Sequence, residues 1–449
     1  MKNICTLKRH KTAFETELFV VDEEGKISNR ADEIIKKTKT LQLDFPIQEE
    51  YCHHLIEITS EPKREMLHTA NGWVQTLQTV IEESKKLGLM LYAQGTYPAK
   101  FIPKTRNRYY KMKEEIIGRE KMLNGDGKVA GFHFHYCLPH RTFDKKEEEL
   151  KQLFHSENKE ILLSIHNALI AADPAFMNFM ASSPFYEGEH LAMDTKNLFY
   201  RDKEIKVKGK VIKGMYSEKK MFGKLPEYAL SISELILRIE KRYEAFRNEV
   251  KEKCPQYMDV INSMHPMKMY WGPLRISRYG TFEYRGLDMN LPSYIIGSGL
   301  LIKYMIKRIR NEGLKVMPTD IGIKEPFKVE GETLHVPPFT YVDEVLQYKA
   351  ILEGTDSHEV RNYMKSIIKF AMPGIPKRKD AGLMRIKEIL ETGKTRSDVI
   401  LKRAVKLGWG RDSKLGEDIA RKIVLTSADE LEKEVEEIAG QELIIDAED

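Results

Sequence analysis

The sequence predicts a mixed α+β fold followed by a helical C-terminal region, and three observations carry that prediction. Segments with strand-like alternation recur through the first two thirds of the chain, and segments with apolar residues at helical spacing lie between them. Beyond Asp356 the pattern is helical and charged to the end, interrupted only by Met372-Pro373-Gly374-Ile375-Pro376. No internal repeat of fixed period is present, which sets aside solenoids and propellers. At 449 residues the chain exceeds a single compact core, so we expect one large domain over 1–355 and a helical appendage over 356–449.

The elements follow in order. Residues 12–22 and 53–59 alternate like strands, and Leu67 to Leu87 reads as a helix that Gly88 ends. Leu89-Met90-Leu91-Tyr92-Ala93 is a strand running into the turn Gly95-Thr96-Tyr97-Pro98. A charged helix is expected from about Arg106 to Met122, a strand from Val129 to Leu138, and a long amphipathic helix from about Lys145 to Ala172. Ile205 to Ile212 alternates around Gly209 like a hairpin, with its lysines on a solvated edge. Trp271 is expected to pack near the start of a strand.

Composition narrows the class. With 41% hydrophobic and 31% charged residues the chain reads as a soluble globular protein. No apolar run approaches the roughly 18 residues that span a bilayer, and Met1-Lys2-Asn3-Ile4-Cys5 lacks a signal-peptide core. A cytoplasmic protein without a membrane partner is the expectation. Cys5, Cys52, Cys137 and Cys254 have no CxxC spacing, so each is expected to be a small buried or half-buried thiol, and neither a zinc ribbon nor a disulfide framework is indicated. A net charge of +5 is mild for this length. It suits a small anionic substrate such as a nucleotide and gives no reason to expect nucleic acid.

Four short segments carry the chemistry. In Phe14-Glu15-Thr16-Glu17, Leu55-Ile56-Glu57-Ile58, Gly131-Phe132-His133-Phe134-His135 and Gly280-Thr281-Phe282-Glu283-Tyr284-Arg285, acidic or imidazole groups alternate with apolar ones. Strand side chains point to alternate faces, so Glu15 pairs with Glu17, His133 with His135, and Glu283 with Arg285 on one face each. If the four strands share a sheet, one face is packed and the other gathers carboxylates that repel unless a cation holds them. Of His53 and His54, on opposite strand faces, one at most reaches such a site. No GxxxxGK[ST] loop occurs, and Gly297-Ser298-Gly299 completes no dinucleotide fingerprint. Any nucleotide must therefore be held another way, and sheet carboxylates that grip magnesium, a hard cation that shares its ligands with phosphates, offer such a way. Two other classes stay open on these residues: a metal hydrolase with zinc on His133 and His135, and a non-catalytic nucleotide-binding relative. Zinc's preference for nitrogen and sulfur, set against the excess of carboxylates, weighs against the hydrolase.

In their order these motifs resemble the glutamate-cysteine ligase type two family of carboxylate-amine ligases, related in fold to glutamine synthetase. Glu15 and Glu17 match its ExE strand, Glu50 and Glu57 its second acidic pair, and Gly95-Thr96-Tyr97-Pro98 its GTHP turn. Gly131 to His135 matches GxHxH, Ala181-Ser182-Ser183-Pro184-Phe185 with Gly188 resembles NSPF-x-x-G, and Arg278 to Asp288 is similar to RYGTxExRxxD. The resemblance runs from about residue 12 to 355 and implies a mainly antiparallel curved sheet with helices on its outer face. It further implies an ATP-dependent ligase that forms an amide through an acyl phosphate, acting on a small carboxylate, glutamate first, and an amine. Glu15, Glu17, Glu50, Glu57, His133 and Glu283 would then hold Mg2+ or Mn2+, with Glu283 and Arg285 catalytic. Arg275 and His135 would contact substrate or nucleotide. Ala13 replaces a glycine, Tyr97 replaces a histidine, and no serine-arginine pair follows Gly188, so Lys196 and Arg201 are the candidates for that cationic position. The appendage is expected to buttress the site or to mediate self-association into a homo-oligomer.

Overall fold

The computed structural model describes residues 10–41, 43, 47–152, 156–375 and 380–440. Cys5 and Pro376 lie outside them; Cys52, Cys137 and Cys254 are buried, and none of the three is in a disulfide. A seven-stranded sheet organises the fold, built from β1 (Thr12–Asp22), β2 (Ile47–Glu49), β3 (Leu55–Thr59), β4 (Leu89–Tyr92), β5 (Gly131–Cys137), β6 (Leu274–Ser277) and β7 (Thr281–Asp288). Its order is β6-β7-β5-β1-β3-β2, with β4 also paired to β1, and every pairing is antiparallel. The expected α+β class and antiparallel sheet are both present.

The alternation read from the sequence separates two faces of this sheet. Phe14, Ile58, Phe132 and Phe134 lie fully or almost fully buried on one of them, while the intervening Glu15, Glu17 and Glu57 are only partly covered. Helices pack against the apolar face: α1 (Met66–Lys85), α2 (Glu157–Met180) and α3 (Pro292–Asn311). Trp73 of α1 meets Phe14 edge-on at 6.1 Å and donates its indole N–H to Thr16 Oγ1 at 2.9 Å. Gly299 of α3 lets that helix approach closely, since a Cβ there would lie 3.4 Å from Phe14 and 2.7 Å from Met66. Burying apolar area of this kind is the main term holding the layers together.

Beyond residue 355 come α4 (His358–Ala371), α5 (Ala381–Thr392), α6 (Arg396–Lys406) and α7 (Glu417–Gly440). Their apolar faces share the main core, through Tyr363 and Ile367 of α4, Leu383 and Ile386 of α5, and Val424 and Leu431 of α7. A second, smaller cluster joins Phe185 to Ile400, Trp409, Leu415 and Ile423.

Three expectations need correction. The helix expected from Lys145 begins at Glu157, because Phe143–Asp144 and Glu149–Leu150 form a small hairpin whose turn is capped by Asp144, accepting from Lys146 N at 2.9 Å. It then continues past the expected end at Ala172, through Pro174, to Met180. The helix from Arg106 is two helices, Arg108–Ile117 and Arg119–Asn124, broken at Gly118 with φ of 104°. His53 and His54 sit in a turn before β3, not on a strand: His53 pairs with Asp32 at 2.8 Å and His54 stacks on Phe19. The hairpin Glu204–Val207 with Lys210–Lys213 is present, and Lys206, Lys208 and Lys210 on it are exposed. No helix among the described residues is long and apolar enough to cross a membrane.

Candidate active site

Strand register assembles the site before any side chain is considered. Glu17 stands opposite Glu57, Glu57 opposite Gln48, Glu15 opposite His133, His135 opposite Glu283, and Glu283 opposite Arg275. Directly opposed residues in an antiparallel pair share a face. These groups therefore cross one sheet face in three adjoining rows. They form the floor of a cavity of about 520 Å³, to which Glu15, Glu17, Glu50, Glu57, His133, Lys196, Arg275 and Arg285 contribute.

The cavity has an acidic end and a balanced end. At the acidic end Glu17, Glu50 and Glu57 bring carboxylate oxygens within 4.8 Å of one another. Burial pushes the Glu17 carboxyl up to about 8, helped by Glu50 and Asp126, and only partly offset by Lys196. Burial and the charge of Asp126 raise Glu50; burial and the charges of Glu15, Glu50 and Glu17 hold Glu57 well above the carboxylate range. Glu17 also accepts from Gly131 N at 2.6 Å, and Glu50 from Tyr51 N at 3.0 Å and Tyr110 Oη at 3.2 Å, so their geometry is fixed. Three aimed oxygens with too little positive charge nearby suit a hard divalent cation.

At the balanced end Glu15, His135 and Glu283 form a second set with ligand atoms within 4.8 Å. Glu283, 1% exposed, receives Arg275 Nε at 2.6 Å and a bond from Arg285. Burial opposes its charge, but the two guanidiniums outweigh burial and hold it down at about 2. Glu15 behaves likewise: burial raises it, while His135 and His133 drive it well below the usual range. His133 bridges the two ends, with Nδ1 3.1 Å from Glu15 and Nε2 3.5 Å from Glu17; burial and Arg285 lower it to about 4, so it is neutral at pH 7. His135 is oriented by a 2.9 Å bond between Nδ1 and Thr281 Oγ1, and its buried Nε2 lies 3.2 Å from Glu15 without hydrogen-bond geometry. An imidazole fixed at one nitrogen with the other aimed into carboxylates has the form of a supported metal ligand.

Residues 14–262, more than half of the chain, match glutamate-cysteine ligase family 2. The chain belongs to that family. A candidate glutamate–cysteine ligase 2 of Clavibacter michiganensis subsp. michiganensis is 22% identical over 185 residues, covering 40% of this chain and 43% of its own length. The chain thus spans less than half the length of the curated relatives it matches. In fold it resembles a bifunctional glutathione synthetase from Pasteurella multocida (TM-score 0.56, 13% identity, 95% of this chain and 53% of the other). It also resembles a glutamate–cysteine ligase from Francisella tularensis solved with AMP (TM-score 0.51, 12% identity, 97% and 96%). The glutamine synthetase-like fold expected from the motifs is the fold observed.

Within this glutamate-cysteine ligase family 2 chain, most of the sequence-derived residues come together and some do not. Glu15, Glu17, Glu50, Glu57, His133, Lys196, Arg275 and Arg285 line the cavity, with Glu283 directly beneath the arginines. Arg201 does not line it. Its guanidinium is 1% exposed and locked on Asp173 at 2.5 and 3.0 Å, so it serves the core and not a ligand. His135, expected at the substrate, stands in the second carboxylate set, while His133 belongs to neither set; the two imidazoles do not converge on one HxH centre. Tyr97, in place of the family's histidine, points away and donates to Gly25 O at 2.8 Å. The sequence missed Asp126, Tyr109, Tyr110, Lys113 and Tyr200 in the wall, and Trp271 is wall as well as packing. For Asp126 the signal was present in Gly125-Asp126-Gly127, an acid between glycines just ahead of a motif strand.

Proposed function

We propose that this protein is an ATP-dependent carboxylate–amine ligase, with glutamate as the first choice of carboxylate and an amine as acceptor. One observation carries the reading: two carboxylate sets and two arginines share one sheet face, where Glu15, Glu17, Glu50, Glu57, Arg275 and Arg285 line a single cavity and Glu283 and His135 lie buried under it. Glu17, Glu50 and Glu57 would hold one Mg2+ or Mn2+, and Glu15, Glu283 and His135 a second. When bound, such ions supply positive charge that offsets repulsion between the nucleotide phosphates and an incoming carboxylate.

The chain's own groups then take defined parts. Arg285 has a buried Nε without an acceptor, which suits it to an anionic oxygen of the transferring phosphoryl group. Arg275 fixes Glu283 from the other side, and Lys196 adds a buried cation beside Glu17. A substrate carboxylate oxygen attacks the γ-phosphorus, the bond to the β-phosphate oxygen breaks, and ADP leaves. The amine nitrogen next attacks the acyl carbon, the carbon–oxygen bond to phosphate breaks, and an amide and phosphate result after loss of the amine proton. Tyr109, Tyr110, Tyr200 and Trp271 in the cavity wall would reduce the water around a bound acyl phosphate, which water would otherwise hydrolyse.

The test is ADP release with glutamate against a panel of amines, run with Mg2+, Mn2+, Zn2+ and excess chelator. We expect turnover with magnesium or manganese, none with zinc alone, and loss of signal on chelation. Full turnover in excess chelator would remove the metal assignment, and nucleotide binding without turnover across the panel would favour a non-catalytic binding protein.

A further inference from the structure

The Ala181–Phe185 motif is gripped from both sides, and its outer grip comes from the C-terminal helices. On the inner side Ser182 donates its N–H to Asp288 at 2.9 Å and its hydroxyl to Met289 O at 2.8 Å, while Ser183 Oγ accepts from Lys196 N at 3.1 Å. Lys196 then reaches the cavity, 4% exposed, with Nζ on Leu287 O at 2.8 Å. On the outer side Ser397 of α6 bonds both ends of the segment. Its N–H donates to Ala181 O at 2.9 Å and its hydroxyl to Met193 O at 2.6 Å. Midway, Leu415 N donates to Gly188 O at 2.8 Å, and Trp409 meets Phe185 edge-on at 4.9 Å.

We infer that Ser397 is a positioning residue for Lys196, so that the C-terminal region, outside the span matched to the family, sets the cation of the ligand cavity. The physical reason is closure. Residues 181 and 193 bracket a turn of chain whose ends are pinned to each other through one residue, and the second end leads in three residues to the lysine. Without the hydroxyl, the Met193 carbonyl loses the bond that Ser397 gives it, which favours displacement of the segment that carries Lys196. The substrate consequence rests on our reading that Lys196 contacts an anionic substrate group; the positional consequence does not.

The experiment separates the two. Lysine acylation followed by mass spectrometry on the full chain, wild type against Ser397→Ala, should show Lys196 labelling rising severalfold, with buried Lys113 unchanged as the control for general loosening. Ser397→Thr keeps the hydroxyl and should restore the wild-type rate. Unchanged labelling of Lys196 in Ser397→Ala, or a parallel rise at Lys113, would overturn the inference. In the ligase assay, Ser397→Ala should raise the KM of one anionic substrate at least about threefold with kcat nearly kept, and should add nothing in a Lys196→Ala background. Additive effects there would overturn action through Lys196. Raised labelling with no KM change in Lys196→Ala would instead keep the clamp and discard the substrate role of that lysine.

Discussion

Glu57→Gln should raise the melting temperature of the cation-free protein and, in the same molecule, cut turnover by about a hundredfold or more. The two effects share one cause. Glu57 lies partly buried against Glu15, Glu17 and Glu50, and its charge has no basic partner within the acidic set. Relieving one member of a buried like-charge group stabilises the apo state by an amount on the order of a kcal/mol or more. The sign of the pH dependence follows from the same crowding of charge. Glu17 moves from an ordinary 4.5 up to about 8, so the folded chain keeps a proton that the unfolded chain loses. The share of cation-free stability that Glu17 contributes is therefore full below about 4.5 and declines as pH rises toward 8. Cation binding has to displace those protons, and its affinity should climb across the same window. Melting curves with and without magnesium from pH 5 to 8 check this: the variant should flatten the apo slope and lose most of the magnesium-induced rise. A variant less stable than wild type, with the magnesium effect intact, would mean that Glu57 is not a ligand.

The second large effect separates Glu283 from Arg285. Glu283→Gln removes the one carboxylate between two buried guanidiniums, so it should lower stability by several kcal/mol and turnover by at least roughly a hundredfold. Its folded pKa is depressed, so its stabilising share is present above about 4.5 and is lost as pH falls toward about 2. Glu283→Gln should flatten acid unfolding in that range. Arg285→Lys keeps the charge but loses the fork, so kcat should fall more than nucleotide affinity does. Metal dependence should move only in Glu283→Gln. If both variants release ADP at near-normal rates with an unchanged magnesium requirement, the strand carries a structural ion pair only.

The acidic sheet face was legible because period-two alternation survives in any strand that has one packed and one open side. Register was not. That Glu15 meets His133, and His135 meets Glu283, depends on pairings between residues more than a hundred positions apart, which no local pattern encodes. The same gap explains why the motifs favour His133 over His135 as a ligand, while His135 is the imidazole that stands in the second carboxylate set. Arg201 misleads for a different reason: a charge in the right sequence window says nothing of the buried Asp173 waiting for it in α2. Asp126 and the aromatic wall come from loops and short helices, where spacing carries no face. The C-terminal helices were visible as helices, but their hold on residues 181–193 rests on Ser397 and Trp409, single side chains in otherwise ordinary positions.

If this sheet face transfers a phosphoryl group to a carboxylate before an amine arrives, the carboxylate gives one of its oxygens to the phosphate. Glutamate carrying oxygen-18 in its side-chain carboxylate, incubated with ATP, magnesium and an accepted amine, tests it most directly. One labelled oxygen in each phosphate released is the expected result. Phosphate without label, formed at the rate of ADP, would contradict it.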